Sequence, residues 1–295
     1  MLRLQDDIGR EVLFGPPPAR VVSLVPSDTL TLFDLGVGGA LVGRTDWCEL
    51  PEAARALPSV GGTKNPRLEA IYDLEPDLVI ANREENTKGD LEAIAQRGFR
   101  VWVGFPRRVE AGLAHMARLA RIFRIEKEPA VRDLIKQGYS AVREAEAARA
   151  SRVPRSVFCP IWMDPLMTIH GDTYISDMLD LAGAQNVFAD RERRYPLAAD
   201  LGVAPPLPAE RVAGRDTRYP RVTLDEVVAR KPEIVLLPDE PHPFSDADAD
   251  VFRALPIPAA KRGAIVRCSG KDLCWYGSRA VSGIARVRAL VDALR

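Results

Sequence analysis

The sequence predicts an α/β protein with two Rossmann-like lobes, each built on a parallel sheet, joined by one long backbone helix. Strand-like and helix-like segments alternate along most of the chain, which is typical of parallel sheets covered by helices. The helix–proline–strand pattern of Leu68–Ala81 returns at Leu224–Leu237 with a constant offset of 156 residues, which indicates two similar halves. Between these halves, residues 126–152 have the 3.6-residue periodicity of a single amphipathic helix.

The long helix divides the chain into an N-terminal α/β lobe at 1–125, the interlobe helix at 126–152 and a C-terminal α/β lobe at 153–295. Pro129 suits a first helical turn, and Pro154 ends the helix because proline excludes the preceding residue from the helical region. At 1.5 Å per residue the helix would be about 40 Å long, the length of a strut between two lobes.

Polar residues before the predicted helices are candidate caps. After the strand Arg20–Val25, a residue of the segment 27–29 is expected to cap the next helix, and Asn65 with Pro66 is expected to open the helix that carries Leu68. In the second half, Thr223 and Glu226 have the spacing of a capping box. The residues before the first strand, with three consecutive prolines, are expected to be irregular.

Composition excludes several classes of function. Lys plus Arg and Asp plus Glu both number 41, so no basic excess attracts nucleic acid. No apolar run reaches the length of a membrane span, and the N-terminal residues lack the apolar core of a signal peptide. The four cysteines show no C-x-x-C spacing and the three histidines are scattered, so we expect no metal site. Catalytic motifs are also missing, which predicts a protein that is not an enzyme.

Large aromatic residues follow predicted strands in both halves. Ligands of parallel sheets bind beyond the carboxyl ends of the strands, so these side chains are candidate ligand contacts. The alternative for each of them is an ordinary core aromatic, and the sequence leaves both open. The candidates are Trp47, Trp162, Tyr219, Trp275 and Tyr276.

A Pro- and Arg-rich stretch at 191–218 interrupts the second half and is interpreted as an insertion. The triplet Arg-Tyr-Pro stands on both sides of it, at Arg194–Pro196 and Arg218–Pro220. Such insertions are either functional covers or disordered segments, and the sequence does not decide between them.

Several motifs together resemble a known family. RVVSLVPSDTLTLFDLG, PSVGG before NPRLEAI, EPDLVIA and VTLDEVVARKPEIVLLP are similar to the substrate-binding proteins of ABC importers for cobalamin and iron-siderophore complexes, most of all to the cobalamin-binding branch. These class III periplasmic binding proteins have two lobes joined by a rigid helix. The resemblance implies a corrinoid or other metal chelate, held between the lobes by Trp47, Thr63, Trp162, Tyr219 and Trp275, with no intrinsic cofactor. Leu30 departs from the pattern, since the family often has Glu there.

The same resemblance implies a membrane partner. The family docks on its ABC permease through one acidic residue per lobe, which here would be Glu69 and Asp225, equivalent under the internal repeat. Carboxylates in a first helical turn are also favoured by the helix dipole alone, so that interpretation stays open.

The resemblance leaves location and function partly open. We expect a monomer, periplasmic or at the cell surface if a signal peptide has been removed, and cytoplasmic if Met1 is the native start. The alternatives are a leaderless cytoplasmic chelate-binding or sensory module, and a protein that binds an iron-siderophore or haem.

Overall fold

A computed structural model of the protein describes residues 1–294 and divides them into two compact units. The first unit comprises Met1–Ser140 and Trp275–Ser282, and the second comprises Ala141–Cys274 and the chain from Gly283 onward. The prediction assigned residues 275–282 to the C-terminal lobe. They belong to the first unit because Ser278 and its neighbours are hydrogen-bonded there, as in the bond from Ser278 N to Thr31 Oγ1 (3.2 Å).

The first unit begins with an antiparallel hairpin and continues as alternating strands and helices. Its strands are β1 (Leu2–Gln5), β2 (Glu11–Phe14), β3 (Val21–Ser23), β4 (Leu41–Arg44), β5 (Leu78–Asn82) and β6 (Val101–Gly104). Its helices are α1 (Pro26–Asp34), α2 (Leu68–Asp73), α3 (Lys88–Gln96) and α4 (Val109–Ile122).

Strands β3 to β6 form a parallel four-stranded sheet in the order β4-β3-β5-β6. Every residue of β3, β5 and β6 is buried, as expected for strands covered on both faces. The hairpin adds Phe14 to this core, where its ring packs edge-on against Trp102 (5.9 Å between ring centroids). The expectation of an irregular start is therefore wrong for the hairpin at residues 2–14, whereas the proline-containing residues 15–20 belong to no helix or strand, as expected.

The long helix α5 spans Pro129–Ala150, 22 residues or about 33 Å, within the predicted 126–152. It starts at Pro129, where proline is well tolerated. The boundary between the two units falls inside it, between Ser140 and Ala141.

The second unit repeats the alternation and adds two small helices in residues 191–218. Its strands are β7 (Arg155–Phe158), β8 (Pro160–Trp162), β9 (Met167–Thr168), β10 (Ala184–Asn186), β11 (Ile234–Pro238) and β12 (Ile265–Cys268). Its helices are α6 (Tyr174–Leu181), α7 (Leu197–Asp200), α8 (Ala209–Val212), α9 (Leu224–Arg230), α10 (Asp246–Arg253), α11 (Pro258–Lys261), α12 (Gly270–Cys274) and α13 (Ser278–Ala293, which starts in the first unit).

The two units have the same sheet topology, which confirms the internal repeat. The second parallel sheet has the order β10-β7-β11-β12, the counterpart of β4-β3-β5-β6. Helices α2 and α9 begin at Leu68 and Leu224, and strands β5 and β11 begin at Leu78 and Ile234, so both pairs keep the offset of 156 residues.

The structure agrees with the predicted start of helix α9 but not with the predicted starts of α1 and α2. Thr223 and Glu226 form the predicted capping box of α9. By contrast, α1 begins one residue after Val25 without a side-chain cap, which places residues 27–29 inside its buried first turn. Helix α2 begins after Arg67, also without a side-chain cap, so Asn65 and Pro66 do not open it. Both predictions were wrong because the sheet and its loops fix where these helices start.

Residues 191–218 are folded around one buried carboxylate. Asp200 is 1% exposed and accepts hydrogen bonds from Arg194 N (2.8 Å), Arg221 N (2.7 Å) and Arg191 Nη1 (3.0 Å). Two donors of the segment and one donor just after it thus share one carboxylate, which fixes the path of the chain. No helix among residues 1–294 is long and apolar enough to cross a membrane.

Candidate functional site

Trp47 is the most exposed aromatic side chain of the first unit. It lies in the turn after β4, at the carboxyl edge of the sheet, and is 60% exposed. A Cβ on Gly62 would lie 3.8 Å from its Nε1, so the indole stands beside the loop that carries Thr63. The structure therefore places these two predicted ligand contacts together.

Two asparagines, the last residue of β5 and one four residues later, hold that loop. Asn86 Nδ2 donates to the Thr63 carbonyl oxygen (2.9 Å), and Asn86 Oδ1 accepts from Asn82 N (2.8 Å). Asn82 Oδ1 accepts in turn from Glu84 N (2.7 Å). The hydrogen bond from Asn86 thus holds the backbone of Thr63 in place, and the Thr63 side chain is partly exposed.

Sequence reasoning missed a basic and aromatic group at the same edge of the first sheet. Arg83 directly follows β5 and Phe105 directly follows β6. The guanidinium carbons of Arg83 and Arg107 lie 4.8 and 5.4 Å from the centroid of the Phe105 ring. The sequence feature that could have identified Arg83 and Phe105 as site residues is their position directly after predicted strands. Such cation–π groups offer both charge and an apolar face to a ligand.

The predicted ligand contacts Trp275 and Tyr276 are buried instead, with exposures of 5% and 3%. The Tyr276 hydroxyl donates to Asp28 Oδ2 (2.8 Å) and accepts from Asn82 Nδ2 (3.2 Å). His115 Nε2 lies 2.9 Å from Asp28 Oδ1, and both of these side chains are fully buried. Tyr276 is thus part of a buried polar network in the first unit. This is the core position that the sequence analysis left open as the alternative to a ligand contact.

Burial determines the chemistry of this network. It raises the pKa of the Tyr276 hydroxyl well above its ordinary value, and the neighbouring Asp28 raises that pKa further. The phenol is therefore a neutral donor at physiological pH. Gly104 makes room for the network, because a Cβ there would lie 2.8 Å from His115 Cε1. We find here a buried structural triad, with Asp28 in the first turn of α1 where the helix dipole favours a carboxylate.

Trp162 is the corresponding exposed aromatic of the second unit. It ends β8, is 43% exposed, and donates from Nε1 to the Asp164 carbonyl oxygen (2.9 Å). The centroid of the His242 ring lies 5.3 Å from that of Trp162, and Phe244 packs edge-on against His242 at 4.6 Å. The indole is held in place from one side and presents the rest of its surface to solvent.

Tyr219 lies on a segment that extends the β8–β9 hairpin. His170 N donates to the Arg218 carbonyl oxygen (2.8 Å), and Thr168 N donates to that of Pro220 (3.0 Å). Tyr219 is partly exposed, and the Arg218 guanidinium carbon stands 5.5 Å from its ring centroid. Tyr219 and Trp162 are thus brought into one small antiparallel structure.

The two predicted docking carboxylates are both exposed in first helical turns. Glu69 lies in α2 and Asp225 in α9, the equivalent helices of the repeat. Their surroundings differ, because Glu226 beside Asp225 closes the capping box and also accepts from Arg191 Nε (3.1 Å). The docking role of both residues stays a prediction.

Among residues 1–294, no group of three or more His, Cys, Asp or Glu side chains is placed to hold a metal ion. Cys159 and Cys268 in the second unit are not reactive thiols, because burial raises the pKa of Cys159 well above its ordinary value and that of Cys268 to about 12. Thiolate chemistry is therefore disfavoured at both positions.

Comparison with known proteins identifies similar chains. A family model described as "Periplasmic binding protein" matches residues 21–268. The vitamin B12-binding protein of Photorhabdus laumondii subsp. laumondii is 28% identical over 222 residues, which are 75% of this chain and 70% of that protein.

Solved structures share the fold at low sequence identity. The periplasmic vitamin B12-binding protein of Vibrio cholerae gives a TM-score of 0.74 at 18% identity, covering 95% of this chain and 99% of its own. The apo form of a periplasmic haem-binding protein from Roseiflexus sp. RS-1 gives 0.73 at 21% identity, covering 95% and 100%. These matches confirm the predicted fold class.

Proposed function

The chain belongs to the periplasmic binding protein family, and we propose that it is a substrate-binding protein that captures a corrinoid, or a related metal chelate, and delivers it to an ABC import permease. The relatives described above are named as binding proteins, which agrees with the prediction that the chain is not an enzyme. The predicted position of the ligand, in a cleft between the lobes, stays part of this proposal.

The observation that carries the proposal is one exposed tryptophan at or just after the end of a strand in each unit. Trp47 and Trp162 are 60% and 43% exposed, although indole side chains are generally well covered in folded proteins. An exposed aromatic face suits a large, flat ligand such as a corrinoid. The vitamin B12-binding name of the relative from Photorhabdus laumondii supports the same ligand class.

The ligand is tested by titration of the purified protein with cyanocobalamin, cobinamide and haem, followed by tryptophan fluorescence and calorimetry. We expect saturable quenching by a corrinoid. Trp47→Ala and Trp162→Ala should each weaken binding about tenfold, the effect of losing one stacking contact of about 1.4 kcal/mol. Leu197→Ala is the matched control, because Leu197 is also a large exposed apolar side chain, at 46%. Absence of binding by all three compounds would refute the proposal.

Haem is the second candidate ligand, supported by the likeness to the haem-binding protein from Roseiflexus. The His242 side chain beside Trp162 is 24% exposed, and imidazole is a common axial ligand of haem iron. If haem is the ligand, adding it should produce a shifted Soret band that His242→Ala changes. Tighter binding of cobinamide than of haem would exclude haem as the natural cargo.

Delivery to a permease is proposed to involve Glu69 and Asp225. We expect the double substitution Glu69→Ala, Asp225→Ala to abolish chelate uptake by cells while the affinity of the purified protein is unchanged. Asp34→Ala and Asp246→Ala change exposed carboxylates on other helices of the two units and serve as controls. Normal uptake by the double variant would favour a binding or sensory protein that meets no permease.

Location and assembly follow from the same proposal. We propose a monomer outside the cytoplasmic membrane, as the family description suggests. Expression from the native upstream reading frame, followed by cell fractionation and by light scattering of the purified protein, tests both statements. Recovery in the cytoplasmic fraction would support the leaderless alternative.

A further inference from the structure

Arg221, in the second unit, carries a guanidinium group without an acceptor. Its Nε and Nη1 atoms are shielded from solvent and have no hydrogen-bond partner, although the residue as a whole is partly exposed. A cation that has lost much of its hydration without gaining an acceptor is unfavourable. An external anion near Nη2, the remaining nitrogen, would offset part of this cost by its charge.

The carboxylates near the backbone of Arg221 already accept hydrogen bonds from other residues of the second unit. Both carboxylate oxygens of Asp200 accept hydrogen bonds, including one from the backbone N–H of Arg221 itself (2.7 Å). Glu226 accepts from Arg191 Nε (3.1 Å) and from Thr223 N (3.0 Å) in the capping box. Neither forms a hydrogen bond with the Arg221 guanidinium, which therefore remains available.

The position of Arg221 connects it to the proposed ligand face. Arg221 forms an antiparallel bridge with Met167, and Met167 is the register partner of Trp162 in the β8–β9 hairpin. Directly opposed residues in antiparallel pairs place their side chains on the same face. Arg221 and the exposed Trp162 thus share one face of this small sheet.

A second arginine strengthens the positive character of the region. The guanidinium carbon of Arg193 stands 4.7 Å from the centroid of the Tyr195 ring, and its Nε is also shielded without an acceptor. The next residue, Arg194, donates its backbone N–H to the same carboxylate, Asp200, as Arg221 does. The backbone beside Arg193 and the backbone of Arg221 therefore meet at one carboxylate, although Arg193 and Arg221 are 28 positions apart in the sequence.

We infer that Arg221 is an anion-binding position of the second unit, and that the captured chelate carries a carboxylate or phosphate group that pairs with it. The Nη2 group of Arg221 offers charged N–H donors, which form strong hydrogen bonds with such oxyanions. The statement about the chelate rests on the proposed function, whereas the anion-binding position does not depend on it.

The chelate is tested with two corrinoids that differ at one side chain, cobyric acid with a free carboxylate and cobinamide with a neutral amide there, both as dicyano forms. We expect the protein to bind cobyric acid about tenfold more tightly, the size of one charge-assisted hydrogen bond. Arg221→Gln should reduce this ratio to about one with little effect on cobinamide. Arg221→Lys should keep part of it, and Arg211→Gln, at an exposed arginine of residues 191–218, should keep all of it. An unchanged ratio in Arg221→Gln would overturn the inference for the chelate.

The anion position is tested without any chelate, by thermal unfolding in sodium phosphate and in sodium chloride of equal ionic strength. We expect phosphate to raise the Tm of the unsubstituted protein and of Arg211→Gln but not of Arg221→Gln, and we expect Arg221→Gln to fold with an unreduced Tm in chloride. A phosphate effect without corrinoid discrimination would mean a site for free anions and would refute the pairing with the chelate. If no chelate binds, the proposed function fails, and the phosphate comparison still decides whether Arg221 binds anions. Equal phosphate effects in all variants would overturn the anion-binding position.

Discussion

The two units have the same sheet topology but use their polar residues differently. In the first unit, Asp28, His115 and Tyr276 form a closed network in the core, with Asp28 and His115 fully buried. In the second unit, the buried Asp200 binds the backbone and one side chain of residues 191–222, close to the surface. A repeated backbone pattern therefore does not imply repeated polar interactions, because topology depends on the apolar pattern whereas each polar group needs its own partner.

The largest expected effect concerns the network of the first unit. Asp28→Ala removes the acceptor of two buried donors, His115 Nε2 and the Tyr276 hydroxyl, and should lower the free energy of unfolding by about 3 kcal/mol or more. Denaturant unfolding measures this change. Asp34→Ala, at the exposed end of the same helix, should change it by less than about 0.5 kcal/mol. Similar values for the two variants would show that the network does not stabilise the unit.

Asp200→Ala should have a smaller and more local effect. It removes an acceptor for two backbone N–H groups and for Arg191, and should cost about 2 kcal/mol. Hydrogen exchange should show faster exchange within residues 191–222 and unchanged protection of the parallel sheet. Glu192→Ala, at an exposed neighbour, is the control. Uniform loss of protection throughout the second unit would contradict a local role.

Alkaline pH should destabilise the protein through its buried phenols. Because burial raises the pKa of Tyr276 in the folded protein, the unfolded chain releases this proton first, near pH 10, and stability falls as pH rises above that value. Tyr276→Phe should remove up to about 1.4 kcal/mol per pH unit from this slope.

Tyr174, whose pKa is likewise raised by burial, provides the matched comparison in the second unit, and Tyr174→Phe should reduce the alkaline slope equally. The measurement is the free energy of unfolding between pH 9 and pH 11. A slope unchanged by either substitution would mean that these phenols ionise as readily in the folded protein as in the unfolded chain.

The smallest expected effect separates the two helices that carry the predicted docking residues. Thr223→Ala breaks the capping box of α9 and should cost about 1 kcal/mol. Arg67→Ala, at the start of α2 where no side chain caps the helix, should cost less than about 0.5 kcal/mol. Denaturant unfolding measures the loss of unfolding free energy in both variants. Equal losses would mean that the capping box of α9 does not stabilise the protein.

The sequence predicted the exposure of two tryptophans from their position along a strand. Trp47 and Trp162 were chosen because they follow predicted strands, and both are exposed, Trp47 in the turn after β4 and Trp162 as the last residue of β8. Tyr276 was chosen by the same reasoning, but its hydroxyl meets Asp28, which is 248 residues away in the sequence. Contacts of that separation leave no local pattern, so sequence reasoning could not distinguish the core tyrosine from an exposed one.

Taken by itself, the sequence determined the α/β class, the repeat with its offset of 156 residues and the long helix α5, because apolar periodicity and proline positions act locally. The tertiary structure alone decided that residues 275–282 join the first unit, that Asp28 accepts from His115 and Tyr276, and that Arg221 faces the side of Trp162. These features depend on which donors and acceptors meet after the chain has folded. Burial makes each unmatched polar group costly, so pairing is selected in three dimensions and not by neighbours in the sequence.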